Sequence, residues 1–228
     1  METRRSHAAI RPWLIAGLLL CASLTRAQAS RPDVAPAPEV QDQLQKRGIA
    51  LAKPEEGEEG SVRGFVLFNA PPDIVFSLLE QTDRQMEYRK DLSSLVRVAT
   101  QANRVTDEQA IKILFITVRY RLVYALDPEH GEIHWRLAEG GSGQIQHISG
   151  SWVLTPAPAG RTLARFETQV RVGKGIPMSV QNLFTRRKLP KMLVGNREWV
   201  NRLAEPILRQ RAKRKASAAA AMVHREAE

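Results

Sequence analysis

The sequence predicts an α+β domain in which a curved antiparallel sheet of about seven strands wraps around a long C-terminal helix. Two short helices are expected after the first long strand. Residues 95–172 contain β-rich segments, several with apolar and polar side chains in alternation, separated by turn sequences such as DPEHG, EGGSG and APAG. This pattern is typical of neighbouring antiparallel strands. From Ile176 onward apolar residues recur at spacings of three and four, which indicates an amphipathic helix.

The composition is that of a globular protein with one domain. The chain has 228 residues, of which 43% are apolar and 25% are charged. Its single cysteine, Cys21, excludes a disulfide within the chain and a cysteine-based zinc site. No apolar run reaches the roughly 20 residues that a membrane-spanning helix needs.

Residues 1–29 have the three parts of a secretory signal peptide. Three arginines precede the apolar stretch Trp13–Leu24, and an Ala-Gln-Ala sequence ends at Ala29. Cleavage after Ala29 predicts an exported protein, periplasmic or secreted; an uncleaved anchor is the alternative. Leu20 stands before Cys21 where a lipoprotein signal requires a small residue, so lipidation is not predicted.

The next segments lead into the domain. Residues 30–47 read as an extended Pro- and Ala-rich linker followed by a short helix. Two apolar runs around EEGEEG then predict a β-hairpin. Pro71, Pro72 and Asp73 favour the start of a helix, and Thr82 can begin a second short helix that carries Met86 and Tyr88.

The last predicted strand shows the two faces of the sheet most clearly. Its even positions, from Ala164 to Val172, are mainly apolar, whereas the odd positions between them are polar. The run Ile111–Val118 is apolar on both faces and too long for one flat strand, so a bend or bulge is expected near it.

The predicted C-terminal helix presents an apolar stripe to the sheet, formed by Val180, Leu183, Phe184, Met192, Leu193, Trp199, Val200, Leu203 and Ile207. Pro190 is expected to kink or restart this helix. Residues 209–228 lack a core pattern and are expected to form a frayed helical end or a disordered tail.

The excess positive charge lies at this end of the chain. Residues 174–228 contain 13 basic and 4 acidic side chains, against 13 and 12 in residues 61–173. Such a cluster can bind the phosphates of an anionic membrane or of nucleic acid. Because export makes nucleic acid the weaker choice, we predict membrane contact and no nucleic acid; a solvated helical end is the alternative. The cluster consists of Arg209, Arg211, Lys213, Arg214 and Lys215.

The sequence does not contain a recognisable catalytic or metal signature. GxSxG, HExxH and SxxK are absent. The HGEIH segment, His130–His134, enters a strand, where alternation separates His130 from Glu132 and His134. We therefore predict no catalytic residue, metal or cofactor.

Large aromatic side chains are concentrated on the predicted inner face of the sheet. The interface between sheet and helix is thin and needs fewer large side chains than this face supplies, namely Tyr120, Tyr124, Trp135, Trp152 and Phe166. An apolar cavity is one interpretation and an ordinary packed core is the other. Buried tyrosine and tryptophan need hydrogen-bond partners, which favours the amphipathic cavity slightly.

Several local sequences, in this order, resemble the START-like (SRPBCC) superfamily, in particular its polyketide cyclase/dehydrase and coenzyme Q-binding branches. They are FNAPPDIVFSLLEQTDRQMEYRKDLSSLVRV, IHWRLAEG, ISGSWVLTPAPAGRTLARFETQVRV and IPMSVQNLF leading to LPKMLVGNREWV. The resemblance covers about residues 61–205. It implies a START-like domain over residues 48–208, with the N-terminal hairpin included and a basic tail at 209–228.

The resemblance implies a helix-grip fold around a hydrophobic cavity for a lipid, quinone or polyketide-like ligand. We therefore expect an exported, non-catalytic binding or transfer protein. One alternative is a cyclase or dehydratase with Tyr120, Tyr124 or His147 as acid or base in the same cavity; another is a partner-binding module that uses the basic tail. Alternation and the helix stripe give the expected cavity residues: Tyr88, Tyr120, Tyr124, Trp135, Trp152, Phe166, Val170, Phe184 and Met192.

Overall fold

The computed structural model describes residues 36–52, 60–113, 116–140, 144–173 and 188–226. It confirms an α+β fold with an open, curved antiparallel sheet and a long C-terminal helix. The strands are β1 (Ile49–Leu51), β2 (Ser61–Phe68), β3 (Leu92–Gln101), β4 (Arg104–Ile113), β5 (Ile116–Asp127), β6 (Glu132–Leu137), β7 (Ile145–Ala157) and β8 (Arg161–Val172). Their order in the sheet is β1-β2-β8-β7-β6-β5-β4-β3.

The sheet has eight strands within the described residues rather than about seven, and the difference lies in the apolar run at 111–118. This run does not form one bent strand. Ile113 ends β4, Ile116 begins β5, and the two residues are paired across an antiparallel ladder. The expected bend is therefore a reversal of the chain, which divides one predicted strand into two.

A short helix, α1 (Pro38–Arg47), precedes the sheet and covers one end of its outer face. Val40 and Leu44 pack with Ala50 and Phe65 in a small cluster separate from the main core. Gly48 ends the helix in the left-handed conformation, with φ at 70°, and donates its N–H to the Leu44 carbonyl. The predicted hairpin is confirmed by the pairing of β1 with β2; its turn at 53–59 lies outside the described residues.

Two short helical segments follow β2, as the sequence predicts. Pro71 caps α2 (Pro72–Leu79), and Asp73 lies in its first turn, near the positive end of the helix dipole. A 3-10 helix then spans Thr82–Glu87. Both are short, and α2 buries five of its eight residues against the C-terminal helix, β7 and β8.

The C-terminal helix, α3, spans Leu189–Glu226, which is 38 residues and about 57 Å at 1.5 Å per residue. Pro190 lies in its first turn, and a second proline, Pro206, lies in the interior. The helix continues through residues 209–226, so this part of the tail is helical. No helix of the described segments is both long enough and apolar enough to span a membrane.

The inner face of the sheet, α2 and the first half of α3 enclose the main core. Leu193, Trp199, Val200 and Ala204 are buried on α3 and supply its contact face. The predicted stripe residues Val180, Leu183 and Phe184 lie outside the described residues. The core therefore forms between the sheet and the helix, where the amphipathic patterns of both elements place their apolar faces.

Candidate functional site

A cavity of about 130 Å³ lies between the inner face of the sheet, the 3-10 helix and the start of α3. Its size is similar to that of an engineered apolar protein cavity of about 150 Å³ that binds benzene. The cavity thus has room for one ring of an apolar molecule. Aliphatic side chains form much of its wall: Val62, Leu79, Ile111, Val118, Leu122, Ile133, Ile145, Ile148, Val172 and Leu189.

Eight of the nine residues that the sequence predicts for the cavity lie on its wall, namely Tyr88, Tyr120, Tyr124, Trp135, Trp152, Phe166, Val170 and Met192. The ninth, Phe184, lies outside the described residues. Strand alternation places the six from β5 to β8 on one face of the sheet, and Met192 approaches from α3. Their contact with a ligand stays a prediction.

Aromatic rings form a continuous band across four neighbouring strands of this wall, β8, β7, β6 and β5. The ring of Phe166 lies 4.8 Å from that of Trp152 and 5.5 Å from that of Trp135, measured between centroids. Tyr124 extends the band, with its centroid 6.3 Å from Trp135. These tilted arrangements are the ones that aromatic quadrupoles favour. The band can therefore hold the face of a planar apolar ligand.

A buried cluster of polar side chains lies at one end of the same cavity. Gln109 of β4 donates from Nε2 to the Tyr124 hydroxyl at 3.0 Å, and its Oε1 accepts from the Tyr120 hydroxyl at 3.2 Å. Gln85 of the 3-10 helix donates to the same Tyr124 oxygen at 3.1 Å. Arg89 donates to the Gln85 Oε1 at 3.1 Å. The acceptors of the cluster, Gln85 Oε1, Gln109 Oε1 and the Tyr124 oxygen, are thus all occupied without a ligand.

Asp91 neutralises the charge of Arg89. The Arg89 Nη2 lies 2.7 Å from the Asp91 Oδ2, and both side chains are at most one-tenth exposed. Burial lowers the pKa of Arg89, but the charge and hydrogen bond of Asp91, together with smaller effects of Tyr120 and Tyr124, outweigh burial, so the guanidinium stays protonated. The polar end of the cavity therefore contains a paired cation and anion, not an isolated charge.

The three tyrosines on the wall are neutral at physiological pH. Burial raises the pKa of Tyr88 to about 12, against the lowering effects of Arg89 and Asn196. Burial also raises the pKa values of Tyr120 and Tyr124, and the positive charge of Arg89 opposes both shifts. These phenols can donate or accept hydrogen bonds, but they are poor bases.

A second buried group fixes the 3-10 helix to the sheet. Asp107 of β4 is fully buried and accepts hydrogen bonds from the Thr82 hydroxyl and, at 2.5 Å, from the Arg97 Nε. Arg97 also bonds Thr82 and Asp83 at 2.9 and 3.0 Å. Because this group holds the start of the 3-10 helix, it positions Gln85 and Tyr88 at the cavity.

The end of the 3-10 helix is attached to α3. Trp199 is buried and donates from Nε1 to the Glu87 Oε2 at 2.7 Å, while its ring lies 5.2 Å from that of Tyr88. Gly195 of α3 lies directly against the Tyr88 backbone, so a side chain there would collide with the Tyr88 carbonyl. Tyr88 is thereby held between α3 and the cavity.

The sequence did not identify the polar part of the site: Thr82, Gln85, Arg89, Asp91, Asp107, Gln109 and Asn196. A signal exists in β4, where Val105, Asp107, Gln109 and Ile111 alternate on one face and all are buried. A second signal exists in α3, where Asn196 interrupts an apolar stripe. Polar residues in register with buried apolar ones are the pattern that marks such positions.

The described wall of the cavity does not include His130, His134 or His147. His147, which the enzymatic alternative places in the cavity, is not among the described residues of its wall; its Nε2 is 2.9 Å from the Ser149 hydroxyl. The imidazoles of His130 and His134 contact Asp127 and Glu132 respectively. A role of His147 as an acid or base stays a prediction.

Comparison with known proteins places this geometry in a fold family. No protein-family model and no curated protein matches the chain. A Thermus thermophilus protein superposes with a TM-score of 0.54 at 23% identity, over 61% of this chain and 96% of its own. The Zhui aromatase/cyclase from a Streptomyces species superposes with a TM-score of 0.54 at 17% identity, over 64% of this chain and 93% of its own. A STAR-related lipid transfer protein from Xanthomonas axonopodis superposes with a TM-score of 0.53 at 18% identity, over 67% of this chain and 98% of its own.

The chain therefore has the START-like, helix-grip fold. Its structural neighbours are members of the START/SRPBCC superfamily, and this confirms the resemblance that the sequence predicts at the level of the fold. The neighbours include an aromatase/cyclase and a lipid transfer protein, so the fold does not choose between enzyme and carrier.

Proposed function

We propose that this protein binds a hydrophobic small molecule in the cavity between sheet and α3 and carries it without covalent chemistry. The observation that supports the proposal is the cavity of about 130 Å³, with an aromatic band and aliphatic walls. Transfer of apolar ligand surface from water contributes roughly 25 cal/mol per Å², which is sufficient to drive binding. The lipid, quinone or polyketide-like nature of the ligand is part of the proposal.

Native mass spectrometry of the protein purified from an exporting host tests this proposal, because a bound ligand adds its own mass. A cavity-filling variant supplies the control. Val170→Trp places a large side chain on the cavity wall and should abolish the added mass. Val98→Trp makes the same change on exposed β3 and should retain it. A wild-type protein without added mass, and without a thermal shift from added lipids or quinones, contradicts the proposal.

The enzymatic alternative rests on Tyr120 and Tyr124, whose hydroxyls belong to the polar cluster beside the cavity. Their raised pKa values suit a proton donor rather than a base. Tyr124→Phe separates the alternatives. A cyclase or dehydratase that uses this phenol loses turnover while it retains ligand binding, whereas a carrier has no turnover to lose.

We also propose that the carrier is exported and contacts anionic membranes through the basic helix end, defined as residues 209–215. The signal-like residues 1–29 support export. N-terminal sequencing of the protein from an exporting host tests export, because the mature protein should start at Ser30.

The exposure of every residue from 209 to 215 supports membrane contact. Donor and acceptor membranes are what a lipid carrier must touch.

A further inference from the structure

Asn196 of α3 presents a buried acceptor that the fold leaves unused. The residue is 1% exposed and lies on the cavity wall. Its Oδ1 has no hydrogen-bond partner within the described part of the chain. A buried carbonyl oxygen without a partner destabilises the folded state, and most such groups in native proteins are satisfied. An acceptor left open at a cavity is therefore suited to a ligand.

The polar cluster around Gln109 differs from Asn196, because its hydrogen-bond acceptors are already occupied. Its amide and phenol groups are paired with one another, and Arg89 is paired with Asp91. A hydrogen-bond donor on a ligand would have to compete with existing donors for the acceptors of this cluster. At Asn196 it would make a hydrogen bond without breaking one, so this position selects for a donor.

Tyr88 supplies the complementary group beside it. Tyr88 and Asn196 both line the cavity, and the Asn196 amide lowers the pKa of the Tyr88 phenol. Burial nevertheless keeps Tyr88 protonated. The phenolic hydrogen is not used in any hydrogen bond within the described residues. The cavity wall thus carries both the Tyr88 O–H donor and the unpaired Asn196 acceptor.

We infer that the ligand carries a hydroxyl group which donates to the Asn196 Oδ1 and accepts from the Tyr88 O–H. This inference rests on the proposed function and narrows its ligand class. The preferred ligand is a ring-sized apolar molecule with a phenolic or alcoholic hydroxyl. A hydrocarbon, an ether or a molecule with only carbonyl groups leaves the Asn196 acceptor unpaired.

Three single-ring probes of similar shape test the inference on the full chain. Toluene lacks a polar group, 4-methylanisole can only accept a hydrogen bond, and p-cresol can both donate and accept. Dissociation constants come from NMR titration. We expect wild-type protein to prefer p-cresol over both other probes. Asn196→Leu and Tyr88→Phe should each reduce the ratio of p-cresol to toluene affinity about fivefold.

Met192→Leu is the matched control. Met192 lies one helical turn before Asn196 on the same face of α3 and also lines the cavity, but it offers no comparable polar group. This variant can change the affinities of the probes, but it should leave the ratio of p-cresol to toluene unchanged. If Asn196→Leu does not fold, Tyr88→Phe still decides, because its ring retains the contact with Trp199.

The outcomes separate this inference from the proposed function. If no probe binds the wild-type cavity, the proposed function fails and the inference fails with it. If toluene binds but the p-cresol to toluene ratio is the same in wild type, Asn196→Leu and Tyr88→Phe, only the inference is overturned. Equal affinities of p-cresol and 4-methylanisole overturn it as well, because a methyl ether cannot donate to Asn196.

Discussion

Trp135 of β6 lies directly opposite Gly150 of β7, and its indole ring occupies the space above the glycine. A Cβ atom at position 150 would lie well inside van der Waals contact with the Trp135 ring and with the Glu167 carbonyl oxygen. The glycine therefore allows the ring to lie against the sheet. From there it reaches Phe166 and completes the aromatic band of the cavity.

Gly150→Ala should displace Trp135 and destabilise the protein by about 1–3 kcal/mol, because the added methyl group overpacks a site where one neighbour is backbone. Urea unfolding measures the loss, and near-UV circular dichroism reports the change around the indole. Ser151→Ala, at the next position of β7, is the control and should change stability by less than about 0.5 kcal/mol. An unchanged midpoint in Gly150→Ala would show that Trp135 does not need this space.

Much of the fold is predictable because its patterns are local. The alternation in β8 and the apolar stripe of α3 each identify a buried face without knowledge of the rest of the chain. Strand β4 shows where this reasoning fails. Its buried face contains Asp107 and Gln109, and a rule that assigns polar residues to solvent does not recognise such a strand.

The site is only half predictable for the same reason. Apolar residues such as Trp152 and Phe166 are buried whatever surrounds them, so their positions follow from alternation. A polar residue is buried only where partners satisfy it, and those partners are distant in sequence: Gln85 meets Tyr124 across 39 positions. The polar end of the cavity is thus a tertiary property that no single segment reveals.

Asp91→Asn should lower the free energy of unfolding at neutral pH by about 3–5 kcal/mol, because Arg89 would stay buried without its counter-charge. Burial raises the pKa of Asp91, but the charge of Arg89 and the hydrogen bonds to the carboxylate together lower it more, so the folded-state pKa is depressed. The stabilisation is therefore present above about pH 4, the unfolded-state value, and is lost as the pH falls through the lower folded value.

Denaturant unfolding between pH 2 and pH 7 measures this effect. The difference between wild type and Asp91→Asn should shrink as the pH falls below about 4. Asp42→Asn is the control, because Asp42 pairs with Lys46 on the exposed face of α1; it should cost about 0.5 kcal/mol or less. A difference independent of pH would contradict the ionic role of Asp91.

Alkaline titration should report on the cavity alone, because all three tyrosines of the chain, Tyr88, Tyr120 and Tyr124, lie on its wall. Burial raises each pKa, that of Tyr88 to about 12. Tyrosinate absorbance at 295 nm should therefore stay flat through about pH 10, where an exposed tyrosine is half ionised. Because the tyrosine pKa values are higher in the folded state than in the unfolded state, the protonated tyrosines stabilise the fold. This contribution to the free energy of unfolding is lost as the pH rises from about 10.

The same measurement on urea-unfolded protein is the control and should show a midpoint near pH 10. Tyr88→Phe should remove one third of the final absorbance change. A tyrosine that titrates near pH 10 in the folded protein would show that part of the cavity wall is open to water, and would contradict the buried positions of these phenols.

The basic helix end should bind anionic vesicles. Arg209 and Arg211 are paired with Glu205 and Asp73, so Lys213, Arg214 and Lys215 are the cations to remove. At about 1 kcal/mol for each basic side chain near an anionic surface, changing all three to Gln should weaken binding by about a hundredfold. Co-sedimentation with phosphatidylglycerol vesicles measures it, and phosphatidylcholine vesicles should not bind the protein. The effect should fade as salt screens the charges.

A matched triple variant distinguishes this surface from net charge alone. Arg104, Lys112 and Arg119 are exposed on β4 and β5, and their change to Gln lowers the net charge by the same three units. Vesicle binding should survive that change if the contact is local to the helix end, since exposed charges act over about 10 Å in 0.1 M salt. An equal loss in both triple variants would show that the attraction is non-specific. Binding to duplex DNA in place of vesicles would assign the helix end to nucleic acid.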